Sequence, residues 1–191
     1  MSSISGSIDS QLCRNQFNPP CQPRPVGRPL IVMGNHETGD EASFEELRSF
    51  LFNLRNRGSK LGLGRMRAFA SAAGSPETRF PSIHVAGTNG KGSVCALLES
   101  ALRAAGYSTG LYTSPHLIDL GERIQINRRV LSETQIVARA SQLREIAGKL
   151  SPEGGEDYPS FFEFMTLMAF DCFVDMKVDC GILETGLGGR L

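Results

Sequence analysis

The sequence predicts an α/β fold in which a mostly parallel sheet is flanked by helices. Short apolar segments with strand character alternate along the chain with longer segments of helical periodicity. A glycine-rich loop, residues 87–93, also joins a predicted strand to a predicted helix, and another strand follows that helix. Such a strand–helix–strand unit requires parallel strands. Because few strands are predicted, we expect the chain to contain only part of the complete fold.

Net charge and apolar runs exclude several classes of partner. Lys and Arg number 20, as do Asp and Glu, so the formal net charge is zero. This balance gives no basic surface for nucleic acid or for an anionic membrane. No apolar run approaches the roughly 20 residues that span a bilayer, and the N-terminus lacks the pattern of a signal peptide. We expect neither nucleic acid nor membrane as a partner.

The cysteines indicate a cytoplasmic protein with free thiols. There are five, an odd number, and no two of them form a C-x-x-C pair. Cys95, Cys172 and Cys180 lie in apolar periodic segments, where packing is a commoner role than catalysis.

The N-terminal part of the chain changes character near residue 41. Residues 1–40 are rich in Ser, Pro, Gln, Asn and Gly, which predicts a disordered and dispensable tail. Apolar residues at helical spacing between Phe44 and Leu54 predict the first helix, with a capping box formed by Ser43 and Glu46. Residues 65–73 predict a second helix. Residues 41–191 are therefore expected to form the ordered domain.

The middle of the chain predicts the strand–helix–strand unit. Ile83, Val85 and Ala86 form a short buried strand before the glycine-rich loop. The helix behind the loop covers residues 94–105 and ends at Gly106, a typical C-terminal cap. Residues 109–113 form the next strand.

Further elements follow in the C-terminal half. Ile124 and Ile126 alternate with polar residues, as in a short strand or an extended segment. Ser132 and Gln135 form a capping box before a helix with one apolar face. Residues 161–174 predict an apolar helix, and residues 178–183 predict a buried strand.

The glycine-rich loop is the strongest functional signal. A strand that leads through glycines into a helix directs backbone N–H groups and the helix dipole at one point, where phosphate binds. Gly90 and Gly92 allow close approach, and Lys91 adds positive charge. The strict P-loop pattern fails at Val85, where Gly is expected, and at Gly92, where Ser or Thr is expected. The alternative is a purely structural turn between strand and helix.

Two residues near this loop are candidate metal ligands. Glu184 follows the last buried strand, and in open α/β sheets ligands bind at the carboxyl ends of strands. A carboxylate there can hold Mg²⁺, although a strand-end acid without ligand is the alternative. Ser114 follows the strand at 109–113 and borders the same crevice; its alternative is a turn hydroxyl before Pro115.

Other polar residues have weaker signals. Glu163 lies in an apolar helix, so it must either face a partner or a pocket or occupy one exposed position. His84 and His116 have no neighbouring ligands at metal spacing and are expected to be structural.

Several segments together resemble the dihydrofolate synthase/folylpolyglutamate synthase family, relatives of the Mur ligases. They cover about residues 43–191 and are specific in combination. The GTNGKGS form of the loop is the one typical of this family, which accounts for its departures from the strict P-loop. Asn89 favours the bacterial, often bifunctional type. The matching segments are LGLGRM (61–66), HVAGTNGKGSVC (84–95), GLYTSPHL (110–117), ERIQIN (122–127), SFFEFMTLMAF (160–170) and ILETGLGGRL (182–191).

The resemblance implies roles for individual residues in a P-loop-containing, Mur ligase-like domain. Lys91 and Glu184 would be catalytic, and Ser114 and Glu184 would bind Mg²⁺. Residues 113–127 would form a mobile loop between the ATP and folate sites. The ATP phosphates would be bound by Thr88, Asn89, Gly90, Lys91, Gly92 and Ser93. The pterin–benzoate substrate would contact Ser160, Phe161, Phe162, Glu163, Arg190 and Leu191.

The resemblance also implies an activity: ATP-dependent ligation of L-glutamate to dihydropteroate, to folylpolyglutamate, or to both. The family is usually monomeric, and it uses a His, a carbamylated Lys and a C-terminal domain beyond the matched segments. Residues 1–191 alone are therefore expected to be inactive. Two alternatives remain at this point: another P-loop kinase or NTPase, or a non-catalytic fragment that binds nucleotide.

Overall fold

The computed structural model describes residues 40–56 and 62–186. The tail predicted for residues 1–40 lies outside these ranges except for Asp40, which begins the first helix. The helices are α1 (Asp40–Asn56), α2 (Gly64–Ala72), α3 (Lys91–Ala104), α4 (Glu133–Leu150) and α5 (Phe161–Asp175). The strands are β1 (Ser82–Val85), β2 (Thr109–Tyr112), β3 (Ile124–Ile126), β4 (Arg129–Val130) and β5 (Cys180–Glu184).

The strands form one mixed, mostly parallel sheet in the order β1-β5-β2-β3-β4. β5 pairs in parallel with both β1 and β2, so the last of the described strands lies between the two strands joined by α3. β3 and β4 add an antiparallel ribbon at the β2 edge. The α/β prediction is confirmed. β3 forms where a short strand or extended segment was expected, whereas β4 was not predicted because two residues are too few to show an alternation.

Helices cover both faces of the sheet. On one face α3 packs its buried Cys95 against Val85, Leu111 and Ile182 of the central strands. On the other face α5 packs on the sheet, and α1, α2 and α4 pack around α5 in the larger core. Phe50 of α1 meets Phe164 of α5 edge-on, with ring centroids 5.3 Å apart.

Close approach of α5 to the sheet depends on two glycines. A Cβ atom on Gly110 of β2 would lie 2.5 Å from the ring of Phe173, and one on Gly181 of β5 would lie 2.7 Å from the ring of Phe80. Both distances are too short for a real contact, so these positions admit no side chain without movement of an aromatic ring. The two rings fill the space that the glycines leave.

Helix ends agree with the sequence in two of three predicted cases. Ser132 and Gln135 form the predicted capping box of α4. Gly106 follows the end of α3 with φ of 89°, and the N–H groups of Gly106 and Tyr107 bond back to the carbonyls of Arg103 and Leu102. The capping box predicted at Ser43 is wrong, because α1 begins at Asp40 and Ser43 lies within its first turn.

The cysteines of the described residues have a packing role. Cys95, Cys172 and Cys180 are buried free thiols. Burial raises the pKa of Cys95 to about 11 and that of Cys172 to about 12. Such thiols are protonated and poor nucleophiles at neutral pH. None of the helices within residues 40–56 and 62–186 combines the length and apolarity needed to cross a membrane.

Candidate functional site

The glycine-rich loop lies where β1 ends and α3 begins. Its residues 86–90 are exposed, and Gly90 serves as N-cap of α3 in the left-handed conformation, with φ of 75°. Because Gly90 has no side chain, the first amides of α3 are not capped by a side-chain hydrogen bond. Unpaired amides and the positive end of a helix dipole together favour an anion at this position. Thr88, Asn89 and Ser93 lie on the exposed surface of the same turn.

Lys91 begins α3 and folds back over the loop. Its Nζ donates to the carbonyl of Gly87 at 3.1 Å, and the side chain is half-buried. Lys91 forms no ion pair with any residue that the structure describes, so its charge is not neutralised by a carboxylate. The ammonium group is therefore available to an anion bound above the loop.

Glu184 ends β5 and faces the start of α3. The side chain is 8% exposed, and its Oε2 accepts a hydrogen bond of 2.9 Å from the N–H of Ser114. A Cβ atom on Gly92 would lie 3.6 Å from Glu184 Oε1. Three separate segments, the start of α3, the end of β5 and the residues after β2, thus meet at the carboxyl ends of the parallel strands.

A pocket of about 380 Å³ opens at this meeting point. Its lining residues include Gly92, Ser114, Glu122, Arg128 and Glu184. Its position agrees with the general rule for ligand sites in parallel α/β sheets.

The donor atoms in this pocket suit a hard cation that is coordinated partly by the protein and partly by a bound ligand. Ser114 and Glu184 offer only oxygen atoms, the ligand type that Mg²⁺ prefers. No group of three or more His, Cys, Asp and Glu side chains that could hold a metal occurs in the part of the chain described. Mg²⁺ bound here would need ligand oxygens and water to complete its shell, as is usual when it accompanies phosphates.

The segment 160–163 begins α5 with a capping box that the sequence analysis did not identify. Glu163 Oε2 accepts from the N–H and the hydroxyl of Ser160, at 2.8 and 2.7 Å. The same oxygen lies 3.3 Å from a guanidinium nitrogen of Arg65 in α2. Glu163 therefore faces a partner, one of the two expectations. The spacing Ser-x-x-Glu was the signal for the cap, whereas nothing in the sequence pointed to Arg65.

Phe161 and Phe162 follow the cap and connect α5 to the sheet. The ring of Phe162 lies 6.2 Å from that of Tyr112, the last residue of β2. A Cβ atom on Gly186 would lie 2.7 Å from the Phe162 ring. The predicted substrate segment and the Glu184 end of β5 are thus neighbours. Arg190 and Leu191 lie outside the described residues.

The connection from β2 to β3 is held by Glu122 and Arg123. The Glu122 carboxylate accepts hydrogen bonds from the N–H groups of Leu117, Ile118 and Asp119, which lower its pKa. Arg123 donates from Nε to Nδ1 of His116 at 2.7 Å. His116 is therefore structurally engaged, as expected, and the sequence analysis gave Arg123 no role.

Comparison with known proteins gives a consistent set of relatives. The chain is 41% identical over 150 residues to a dihydrofolate synthase/folylpolyglutamate synthase of Bacillus subtilis, covering 78% of this chain and 34% of that protein. It is similar to Mycobacterium tuberculosis folylpolyglutamate synthase complexed with ADP, with a TM-score of 0.71, 36% identity and coverage of 78% and 33%. It is also similar to E. coli FolC in complex with DHPP and ADP, with a TM-score of 0.68, 37% identity and coverage of 78% and 34%.

No protein-family model matches the chain. The chain spans about a third of the length of the relatives that it matches.

Proposed function

Because the chain belongs to the dihydrofolate synthase/folylpolyglutamate synthase family, we propose that the protein ligates L-glutamate to a pterin–benzoate carboxylate in folate biosynthesis, with consumption of ATP. The acceptor would be dihydropteroate, a folylpoly-γ-glutamate, or both. The observation that carries the proposal is that the glycine-rich loop reaches the pocket of Ser114 and Glu184 through Gly92, the residue that follows Lys91. Lys91 and the loop amides suit phosphates, and Ser114 and Glu184 suit the cation that accompanies them.

The loop residues would bind and orient ATP. Amides of residues 88–93 would surround the phosphates, and Lys91 would stabilise the charge that develops on the transferring phosphoryl group. Its lack of a carboxylate partner within the described part of the chain supports this role. Phosphoryl transfer depends mainly on such positioning and charge, so no nucleophilic side chain is required.

The proposed reaction has two steps. An oxygen of the acceptor carboxylate attacks the γ-phosphorus, the bond to the β,γ-bridging oxygen breaks, and ADP leaves. The amine of L-glutamate then attacks the acyl carbon, loses a proton and displaces inorganic phosphate, which leaves an amide. The half-reactions account for the products ADP, phosphate and one new amide bond.

Ser114 and Glu184 would hold Mg²⁺ in this scheme. The oxygen-only donor set and its place beside the loop support the assignment. When bound, Mg²⁺ supplies positive charge to the phosphate oxygens. The N–H of Ser114 already fixes one carboxylate oxygen of Glu184, which orients the other toward Gly92.

The acceptor substrate would bind beside the start of α5. The capped turn at Ser160–Glu163 and the faces of Phe161 and Phe162 would contact the pterin–benzoate, together with Arg190 and Leu191. Support comes from the nearness of Phe162 to the residues that follow Glu184. A flat aromatic substrate gains from stacking on such rings.

The wider organisation is part of the same proposal. Residues 41–191 would be the N-terminal part of an ATP-binding domain, and a further domain would contribute to glutamate binding. The protein would act as a monomer in the cytoplasm.

The direct assay measures ADP release by the protein expressed from its complete reading frame. We expect release only when dihydropteroate, or a folate, and L-glutamate are both present, and we expect a glutamylated product by mass spectrometry. A P-loop kinase or NTPase would release ADP without glutamate, and a non-catalytic binder would release none. Either result would contradict the proposal.

A further inference from the structure

Arg123 is a buried cation without an acidic partner. Arg123 is 7% exposed. No carboxylate forms an ion pair with it in the part of the chain that the structure describes. Buried arginines are nearly always paired with an acid, because a desolvated guanidinium is otherwise costly. The arrangement therefore calls for an explanation outside the chain's own side chains.

The side chain of Arg123 contacts an imidazole, an aromatic ring and a phenol. Nε donates to Nδ1 of His116 at 2.7 Å, and the guanidinium carbon lies 5.0 Å from the centre of the Phe161 ring. The Tyr112 hydroxyl is also adjacent. Because Nε is engaged by His116, the terminal nitrogens form the part of the guanidinium that can bind a ligand in a fork.

Neighbouring charges do not supply the missing anion. The carboxylate of Glu122 accepts hydrogen bonds from the backbone N–H groups of residues 117–119. Glu163, which begins α5 with Ser160, is paired with Arg65. Among the described residues around the start of α5, Arg123 has no carboxylate partner, and the nearby charge of Arg55 is positive as well.

Arg123 also lies between the two halves of the site. Its carbonyl accepts from the N–H of Thr113, the residue before Ser114, so its backbone borders the Glu184 pocket. Its guanidinium lies over Phe161, in the proposed substrate segment. His116 and Phe161 are both partly exposed, so the guanidinium can be approached from that side.

We propose that Arg123 binds the acceptor carboxylate of the substrate and holds it beside the ATP phosphates. The inference rests on the proposed function and adds a residue to it. A carboxylate at this position supplies the anion that the buried guanidinium lacks, and a planar fork matches its two oxygens. Arg123 forms no covalent bond; it orients the attacking oxygen and leaves the phosphoryl charge to Lys91 and the loop.

The test compares two ligands without nucleotide: dihydropteroate and the same molecule with a carboxamide in place of the carboxylate. Binding is measured by calorimetry on the protein expressed from its complete reading frame. We expect the wild type to bind the carboxylate about 10- to 100-fold more tightly than the carboxamide, as a charge-assisted hydrogen-bonded pair should. R123Q should bind the two compounds with nearly equal affinity.

Two further variants make the result decisive. R129Q removes the same charge from an exposed position of the β3–β4 ribbon and should keep the wild-type preference. R123K keeps the charge but loses the fork, so its preference should be intermediate, and it serves if R123Q fails to fold by circular dichroism. A full preference in R123Q, or in R123K where R123Q is unfolded, overturns the inference alone. A wild type that binds neither compound overturns the proposed function and the inference with it.

Discussion

Lys91 is the residue on which the phosphate assignment depends most. Its Nζ contacts only the carbonyl of Gly87 among the hydrogen bonds of the described residues, and it fills no core space. We expect Lys91→Ala to lower kcat by about 10²- to 10³-fold, the usual loss when one stabilising charge is removed. The urea midpoint should stay close to that of the wild type.

The matched control is Lys149→Ala, which removes an exposed lysine from an ion pair with Glu145 on α4. It should leave kcat unchanged. A Lys91→Ala protein with nearly normal turnover would remove the basis for placing phosphate at this loop.

Glu184 tests the proposed metal site. Glu184→Gln keeps the shape of the side chain and an oxygen that can accept from Ser114, but it loses the charge that a hard dication prefers. We expect weaker binding of MgATP and a smaller dependence of nucleotide affinity on Mg²⁺, measured by calorimetry. Glu77→Gln, at an exposed position that does not line the pocket, should change neither. Equal affinities and equal Mg²⁺ dependence in Glu184→Gln and wild type would make Glu184 a structural acid.

At the residue level, the sequence located the glycine-rich loop and Glu184 at strand ends, while their roles stay predictions, and it missed long-range partners. The loop at Gly87–Ser93 and the acid at Glu184 could be identified because each follows a recognisable strand. The pairing of Glu163 with Arg65 and the contact of Arg123 with Phe161 join segments that are distant in sequence. No spacing rule encodes such contacts, because they depend on how α2, α5 and the β2–β3 connection pack.

At the scale of elements, Ser160 at the cap of α5 can have a structural role, a role in substrate binding, or both, and two measurements distinguish them. Ser160 and Ser132 both form capping boxes, so Ser160→Ala and Ser132→Ala should each lower the free energy of unfolding by about 0.5–2 kcal/mol. Only Ser160→Ala should also raise KM for the pterin–benzoate substrate. Denaturant unfolding and steady-state kinetics measure the two effects. An unchanged KM in Ser160→Ala would limit this serine to capping.

Alanine at two glycines should change the free energy of unfolding in opposite directions. Gly110 lies under α5, and Gly148 is an exposed position of α4. Gly110→Ala should destabilise the protein by about 1–3 kcal/mol, because its Cβ would overlap the ring of Phe173. Gly148→Ala on α4 has no atom within 4 Å of its Cβ and should stabilise by about 0.5–1 kcal/mol through helix propensity. Thermal unfolding of both variants tests whether α5 packs on Gly110 through Phe173. Equal effects of the two substitutions would contradict it.

Elements themselves followed from periodicity more reliably than their boundaries and order. The α4 and α5 segments were predicted within a few residues, because long apolar periodic runs are strong signals. The start of α3 at Lys91, three positions before the predicted Val94, was hidden because Gly92 disfavours a helix in isolation. The place of β5 between β1 and β2 could not be predicted, since strand order depends on long-range pairing.

On the scale of the whole molecule, we propose that phosphate, cation and acceptor carboxylate meet where β1, β5 and β2 end. In this proposal Lys91 and the loop would bind phosphate, Ser114 and Glu184 would bind the cation, and the start of α5 with Arg123 would bind the carboxylate. Such an arrangement is suited to activation of a carboxylate by phosphoryl transfer.

Transfer of a carboxylate oxygen from the acceptor substrate to the released phosphate is the measurement that tests this arrangement. Dihydropteroate labelled with ¹⁸O in both carboxylate oxygens is incubated with MgATP, L-glutamate and the protein expressed from its complete reading frame, and the released phosphate is analysed by mass spectrometry. We expect one ¹⁸O atom in each phosphate and one in the new amide, with no phosphate above background when glutamate is omitted. Phosphate without label, released together with the glutamylated product, would show that the carboxylate is not the phosphoryl acceptor.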